Sequence, residues 1–406
     1  MMLITNLTFG GAQRVFYDQS QLLARRHDVT EVVFNLDQGH AFATGNEILS
    51  LDVPGGGGRL ARLAHFFQRI RVLAAIKRRR HPALTISHLE GADYINVLSR
   101  GPGKTLLCIH GSKLHDANIK GALGIIRKRL LIPRLYNRAD CIVTVSREIA
   151  IELETMGVRP ELLRTINNFF DPAAIRARSL EPLSVEEQAI FVGPPVLVTS
   201  GRLALQKNQA GLIGLFAELL KRRPARLLLI GDGELRQSLV DQAKALGLRV
   251  GEGAGGDHDV LFAGFQDNPF RLQCHAQLFV LPSVWEGFPM VLGEAMACGL
   301  PIVSADCPTG PREFLAPDTI GHAVGPLRDA EVGPYGLLMP IPSIGNSATI
   351  DSWVGTIDRL LSNPDVRAQM ASTSLARAED FSRDVIAPQW LALVDDLIGA
   401  PATSSA

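Results

Sequence analysis

VWEGFPMVLGEAMACGLPIVSADCPTGPRE, residues 284–313, joins a loop, a short helix and a strand-length apolar run. The segment PMVLGEAMAC has helical spacing, with Pro289 in its first turn, Gly299 at its end and Pro301 beyond. PIVSAD then reads as a buried strand. Glu286 falls in the loop ahead of the helix, and Glu294 one to two turns inside it. Between them the backbone of Gly287, Phe288, Pro289 and Met290 lies at the positive end of the helix, where an anion is favoured and Gly287 allows close approach. The two carboxylates suit hydroxyl donors, each accepting charge-assisted hydrogen bonds. Surface glutamates that merely complement the helix dipole would give the same spacing, so the stretch alone leaves both readings open.

The same alternation of short apolar runs with helical stretches continues outward. MMLITN, VTEVVFN, ALTISH, TLLCIH and CIVTVS read as strands in the first half; PVLVTSGR, ARLLLIGDG, DVLFAGF, LFVLPS and PIVSAD in the second. Strands separated by helices specify parallel, doubly wound sheets. A chain of 406 residues exceeds one hydrophobic core. We therefore expect a first domain over 1–180, a second over 190–380, and a terminal helix in 381–406 packing back on the first domain. The Pro-rich connector DPAAIRARSLEPLSVEEQAIFVGPP, residues 171–195, marks the break.

Net charge is zero, yet residues 1–180 carry 25 Lys/Arg against 15 Asp/Glu, and the remainder 16 against 26. The basic half points to an anionic partner. IIRKRLLIPRLYNR, residues 125–138, mixes Ile and Leu with Arg127, Lys128, Arg129, Arg134 and Arg138, which suits a helix on an anionic membrane surface as well as a solvated helix face. No matching set of stacking aromatics supports nucleic acid. The start MMLITN lacks a basic leader, and the apolar runs are strand-length, so a cytoplasmic protein is expected, peripheral at the inner face of the membrane if the basic stretch meets lipid. The five cysteines form no C-x-x-C pair and read as reduced thiols.

Ligands in doubly wound sheets bind at the carboxyl ends of strands. There, TFGGAQR places Gly10 and Gly11 at a helix start, either for a ligand or for a tight turn. TSGRLALQKN places Gly201, Arg202 and Lys207 in a loop, a fork and a point charge suited to a diphosphate. LLIGDGE reads as structural, with Asp232 capping a helix. His110 ends TLLCIH and can exchange a proton or bond a hydroxyl. Asp257 and Asp259 form an Asp-x-Asp, but ahead of a strand; with no other His/Cys/carboxylate cluster apparent, no metal is expected.

Taken together, EGFPMVLGEAMACGLPIVSADCPTGPRE, GRLALQKN, LLIGDGE, VLFAGF, VTVSREIAIELETMGV with INNFFD, and FGGAQR resemble family 4 of the retaining GT-B glycosyltransferases, in the family's order and over most of the chain. DCPTGPRE and YGLLMPIP are similar to bacterial members that build lipopolysaccharide, capsule or O-antigen. The resemblance implies a GT-B fold, two Rossmann-like domains facing a central cleft. It implies transfer of a hexose from a nucleotide diphosphate sugar, UDP over GDP, to a glycan or polyprenyl-diphosphate-linked acceptor, with retention and without a metal or other cofactor. Glu286 would lie by the donor sugar and Glu294 by the ribose; Gly287 to Val291 would offer backbone to sugar and diphosphate. Arg202, Lys207 and Gly11 would meet the phosphates, His110 the sugar, and Phe265 the base. Two other readings stay open: a sugar-nucleotide epimerase of the same architecture, and a non-catalytic carbohydrate-binding protein.

Overall fold

The computed structural model describes residues 1–8, 10–36, 44–115, 121–252, 257–321, 326–343 and 345–399. Phe9, within the TFGGAQR motif, and residues 253–256, just ahead of Asp257, lie outside the described residues. The chain forms two compact units, residues 1–169 with 384–406, and residues 170–383.

In unit 1, seven strands among the described residues make one parallel sheet: β1 (Met2–Ile4), β2 (Thr30–Val33), β3 (Glu47–Ser50), β4 (Leu84–His88), β5 (Lys104–Ile109), β6 (Cys141–Thr144) and β7 (Leu163–Thr165), in the order β3-β2-β1-β4-β5-β6-β7. Leu3, Val32, Ile86, Leu107 and Ile142 are buried, as strands covered on both faces require. Helices α1 (Gly11–Leu23), α2 (Arg59–Arg80), α3 (Glu90–Leu98), α4 (Gly121–Ile126), α5 (Ile132–Tyr136) and α6 (Arg147–Thr155) link them. Between α4 and α5 the backbone takes one π-helical turn, Arg127–Leu131. Pro133 has no N–H to continue an α-ladder there, which accounts for the change of register. The chain's closing helix, Arg383–Ile398, buries Ile386, Trp390 and Val394, and its Asp395 lies 3.3 Å from His27 and 3.7 Å from Arg26 of unit 1.

Unit 2 holds β8 (Val196–Ser200), β9 (Arg226–Ile230), β10 (Val250–Glu252), β11 (Val260–Gly264), β12 (Leu278–Leu281), β13 (Ile302–Ala305), β14 (Glu331–Gly333) and β15 (Gly336–Met339), ordered β10-β11-β9-β8-β12-β13-β15-β14. Only β14 runs antiparallel among these described strands. The connector expected to separate the domains belongs to unit 2. It folds into α7 (Pro172–Ser179) and α8 (Val185–Ile190), because Ile175 and Ile190 are buried, Arg178 donates to Asp267 O, and Arg271 grips Glu187 with both guanidinium nitrogens at 2.6 Å. The division therefore falls at Phe169/Phe170. Unit 2's two ends meet: Phe170 N donates to Phe381 O (3.1 Å) and Arg383 N to Phe170 O (3.0 Å). Among the described residues no helix is long and apolar enough to cross a membrane.

One buried carboxylate shapes the segment after β5. Glu152 on α6 accepts from Ser112 Oγ (2.6 Å) and from the amides of Lys113 and Leu114 (2.8 Å for the latter). Burial pushes its pKa up, but the hydrogen bonds from His115, Ser112 and the two amides outweigh that and hold it below the usual range. A depressed folded pKa adds stability that is present above about pH 4.3 and lost as pH falls through the folded value. Glu152→Gln should cost about 1–3 kcal/mol near neutral pH. In urea unfolding the gap to wild type should narrow in acid; a gap independent of pH would show that the charge is not what holds this segment.

Candidate functional site

In unit 2, β9 and β11 extend from β8 on one side and β12 and β13 on the other, so the topology reverses between β8 and β12. Ligands of doubly wound sheets gather outside the strand ends at such a reversal. The loops that leave β8 and β12 carry Lys207 and Glu286.

After β8, Gly201 has φ 144°, a value suited to glycine, and the Lys207 stem lies in van der Waals reach of its Cα side, 3.5 Å from where a Cβ would stand. The loop closes with a 3₁₀ turn, Leu205–Lys207, and with Asn208 in the left-handed region. Asn208 donates to Pro282 O and Pro342 O, and its oxygen caps the helix α9 (Gln209–Leu220). This anchoring aims Lys207 at Glu286: Nζ lies 2.7 Å from Oε1. Ser283 Oγ donates to the same oxygen at 2.7 Å, and Gln206 Nε2 reaches Oε2 at 3.4 Å. Glu286 is 5% exposed, so the carboxylate read as an open acceptor is clasped inside the loop. An ammonium has three donors; Lys207 spends one on Glu286 and has no other acceptor among the described residues.

Arg202 takes another partner. It bonds Glu234 at 3.0 Å, with its side chain 73% exposed. Such a surface pair contributes about 0–1 kcal/mol, so little holds Arg202 away from an anion. The two cations expected to act as a pair are thus differently placed, Lys207 half-enclosed and Arg202 outward.

After β12, α10 (Arg236–Ala245) and α11 (Phe270–Gln273) having intervened, α12 runs Met290–Ala297. Pro289 is its N-cap residue rather than part of its first turn, and no side chain caps the helix. Its first turn carries no acid, so the amide end stays positive. The segment after β13 buttresses the turn. Thr309 Oγ1 donates to Glu286 O, Glu286 N to Pro308 O (3.2 Å), and a Cβ on Gly310 (φ 102°) would fall 2.5 Å from Pro289. Phe288 turns inward against Phe314 and Phe381, so only its backbone borders the turn. Glu294 is partly buried on α12, as placed from the sequence. Phe265 follows Gly264 at the end of β11 and is 65% exposed. Ser283, Gln206 and Thr309 went unread in the sequence: nothing in their local spacing shows that two loops and a third strand end converge on Glu286.

Asp232 does not cap a helix. It accepts from Gly233 N, and α10 begins only at Arg236, after an N-cap residue without a side-chain bond. The Asp-x-Asp is an arginine clamp: Asp257 and Asp259 both hold Arg249, the latter at 2.6 Å. A cavity lined by Val196, Arg226, His258 and Asp259 lies at the amino edge of this sheet, away from the loops above.

In unit 1 the reversal falls between β1 and β4. Gly10 and Gly11 open α1 with no side-chain cap, and a Cβ on Gly11 would meet nothing within 4 Å. Asn6 Oδ1 orders the preceding turn, accepting from Thr8 N, Thr8 Oγ1 and Gln13 Nε2. Leu89, between β4 and α3, holds φ 72° and ψ 142°, a conformation costly for leucine that collects at functional sites. His110 follows β5. Burial, then the nearby Lys113 charge, pushes its pKa down to about 3, so it is a neutral hydrogen-bonding group rather than a proton exchanger near pH 7. Its Nε2 lies 2.9 Å from Nδ1 of His88. Contrary to the sequence reading, a His/Cys cluster does exist: His88, Cys108 and His110 place potential ligand atoms within 4.8 Å of one another. Two strands supply it, which hid it from linear spacing.

The family model described as Glycosyltransferase Family 4 matches residues 9–174, and Glycosyl transferases group 1 matches residues 182–332. An uncharacterized glycosyltransferase of Methanocaldococcus jannaschii is 30% identical over 276 residues, 65% of either chain. The N-acetylgalactosamine-N,N'-diacetylbacillosaminyl-diphospho-undecaprenol 4-alpha-N-acetylgalactosaminyltransferase of Campylobacter jejuni is 29% identical over 239 residues, 58% of this chain and 61% of that protein. The matched stretch thus spans less than two thirds of these relatives' lengths. The crystal structure of Anabaena HepE with UDP-glucose superposes with a TM-score of 0.72 at 20% identity, over 97% of this chain and 99% of that one. Two parallel α/β units, two adjoining family matches and GT-B neighbours agree: the chain belongs to glycosyltransferase family 4 and has the GT-B fold.

Proposed function

We propose that this glycosyltransferase moves a hexose from a nucleotide diphosphate sugar, UDP favoured over GDP, to a glycan or lipid-linked acceptor hydroxyl in cell-surface polysaccharide synthesis, with retention and without a metal. The observation that carries this is the Lys207–Glu286 pair beside the uncapped end of α12, at the topological reversal of unit 2. A diphosphate there would take the two spare donors of Lys207 and the first-turn amides. The UDP ligands of the Anabaena structures favour uridine, and the Campylobacter relative's name favours an acceptor on a lipid diphosphate.

In the proposed reaction the bond from the anomeric carbon to the leaving phosphate oxygen breaks, and the acceptor oxygen bonds that carbon from the same face. The leaving oxygen takes the acceptor's proton. Lys207 and the amides of Met290 and Val291 stabilise the charge that grows on the diphosphate, with Arg202 swinging from Glu234 to assist. Glu286 aims Lys207 and stands by the sugar, Glu294 bonds the ribose, Phe265 lies near the base, and His110 contacts the sugar.

Lys207→Ala should lower turnover about 100- to 1000-fold, the cost of losing one preorganised charge contact. It should also lower Tm, since buried Glu286 loses its cation. Adding Glu286→Gln should recover stability without turnover. Wild-type turnover in Lys207→Ala removes Lys207 from the chemistry. Dialysis against EDTA should leave turnover unchanged, and a loss restored by Mg²⁺ or Mn²⁺ would contradict a metal-independent route. A thermal-shift screen with UDP, GDP and ADP sugars assigns the base, because a bound donor raises Tm.

We also propose peripheral contact with an anionic membrane at its cytoplasmic face. Ile125, Ile126, Leu130 and Leu131 are 43–56% exposed, and Arg129, Arg134 and Arg138 are exposed beside them. Arg127 is spent on Glu90 (2.7 Å) and Lys128 on Leu114 O, so those two anchor the segment instead of facing lipid. The amino half of α2 repeats the pattern: Leu60, Leu63 and Phe67 are exposed at helical spacing beside Arg59, Arg62 and Arg71, with no acidic residue in the helix. Helix α3 packs against both α2 and α5, so the two patches share one layer of unit 1. Binding to vesicles containing phosphatidylglycerol should exceed binding to phosphatidylcholine vesicles and fall in high salt. Leu130→Asp with Leu131→Asp should abolish it; equal binding to both vesicle types rules out the anionic contact.

A further inference from the structure

We propose that His88 is a positioning residue that fixes His110 as its Nδ1–H tautomer, so that His110 meets an oxygen of the donor sugar as a hydrogen-bond donor. The contact with the sugar rests on the function proposed above; the tautomer does not.

His88 is the last residue of β4 and is fully buried. His110 follows the neighbouring strand β5, where His88 pairs in register with Cys108. Parallel register and the two-residue alternation put the His88, Cys108 and His110 side chains on one face of the sheet. The two imidazole planes lie 24° apart with centroids 5.1 Å apart, and Phe16 of α1 packs edge-on against His88 at 5.1 Å. His88 therefore has one fixed orientation, with Nδ1 on His110 Nε2 at 2.9 Å.

That distance is the usual length of a nitrogen hydrogen bond. Two imidazoles bound to one tetrahedral zinc, at about 2.0–2.1 Å each, hold their nitrogens about 3.3 Å apart. The spacing is that of a shared proton. Burial keeps both rings neutral, so each carries one N–H. The proton between them belongs either to His88 Nδ1 or to His110 Nε2.

His88 Nε2 decides which. It is buried and has no hydrogen-bond partner among the described residues. If His110 donated, His88 would carry its own proton on Nε2, a buried N–H with no acceptor, which folded proteins rarely tolerate. If His88 donates from Nδ1, Nε2 is left only a lone pair, the lesser cost. His110 then accepts at Nε2 and must carry its proton on Nδ1. That nitrogen bonds nothing else among the described residues, and His110 is only partly buried. The ring thus presents an N–H to a ligand: it can bond the lone pairs of a sugar hydroxyl, and it cannot accept that hydroxyl's proton.

The test is nitrogen-15 NMR of the full-length protein with labelled histidine, its His110 signals assigned by their loss in His110→Asn. His110 of the wild type should show a protonated Nδ1 and an unprotonated Nε2. His88→Phe keeps the aromatic packing but removes the donor, and should give a mixture of His110 tautomers. His88→Asn, whose amide can donate from the same place, should restore the single form. A wild-type His110 protonated on Nε2, a readout that needs only the assignment variant His110→Asn to fold, overturns the proposal. So does an unchanged tautomer in His88→Phe, or stoichiometric zinc or copper in the purified protein. With UDP-glucose as the probe, His88→Phe should bind about tenfold more weakly, the scale of one lost hydrogen bond, and His88→Asn nearly as tightly as wild type. If His110→Ala binds UDP-glucose as tightly as wild type, the sugar contact fails while the NMR result still decides the tautomer.

Discussion

The arrangement in unit 2 depends on one enclosed ion pair. Glu286 is taken almost wholly out of water, and an uncompensated carboxylate there would be costly. Lys207, Ser283 and Gln206 repay that cost together, the first and last from the turn after β8 and Ser283 from the loop after β12. Asn208 fixes the loop that carries Lys207, Ser283 stands two residues past the end of β12, and the segment after β13 holds the backbone of Glu286. The pair sets where positive charge stands relative to the amide end of α12.

Much of this architecture was legible as residues. Ten strands read as runs of Val, Ile and Leu because both faces of a parallel sheet are covered, leaving no polar alternation to blur them. The strands that escaped are short or lie toward a sheet edge: β3, β7, β10, β14 and β15 span three or four residues, too few for a period to show. The stretch 171–195 looked like a linker from its prolines. Pro172 in fact stands in the first turn of α7, where a missing N–H costs nothing, and the buried Ile175 and Ile190 tie the stretch to unit 2.

The site was legible to the degree that its chemistry is local. Glu286 and Lys207 could be named because each lies in a glycine-containing loop that follows a strand and precedes a helix. That they touch could not be read, since 79 residues separate them. Arg202 shows the converse: an arginine five positions before Lys207 looks like its partner, yet an exposed glutamate after β9 draws it outward. His88 was invisible as a site residue because LTISH reads as core. Only the sheet register brings it to His110.

The crossing at Phe170 and Arg383 has a consequence for how such chains diversify. Both covalent links of unit 2 pass through one hydrogen-bonded bridge, so the whole lobe hangs on a single stem. A recombination event that preserved the two stem residues could exchange the entire unit without cutting through a hydrophobic core. Separate inheritance of the two units then needs only two breakpoints lying side by side in space.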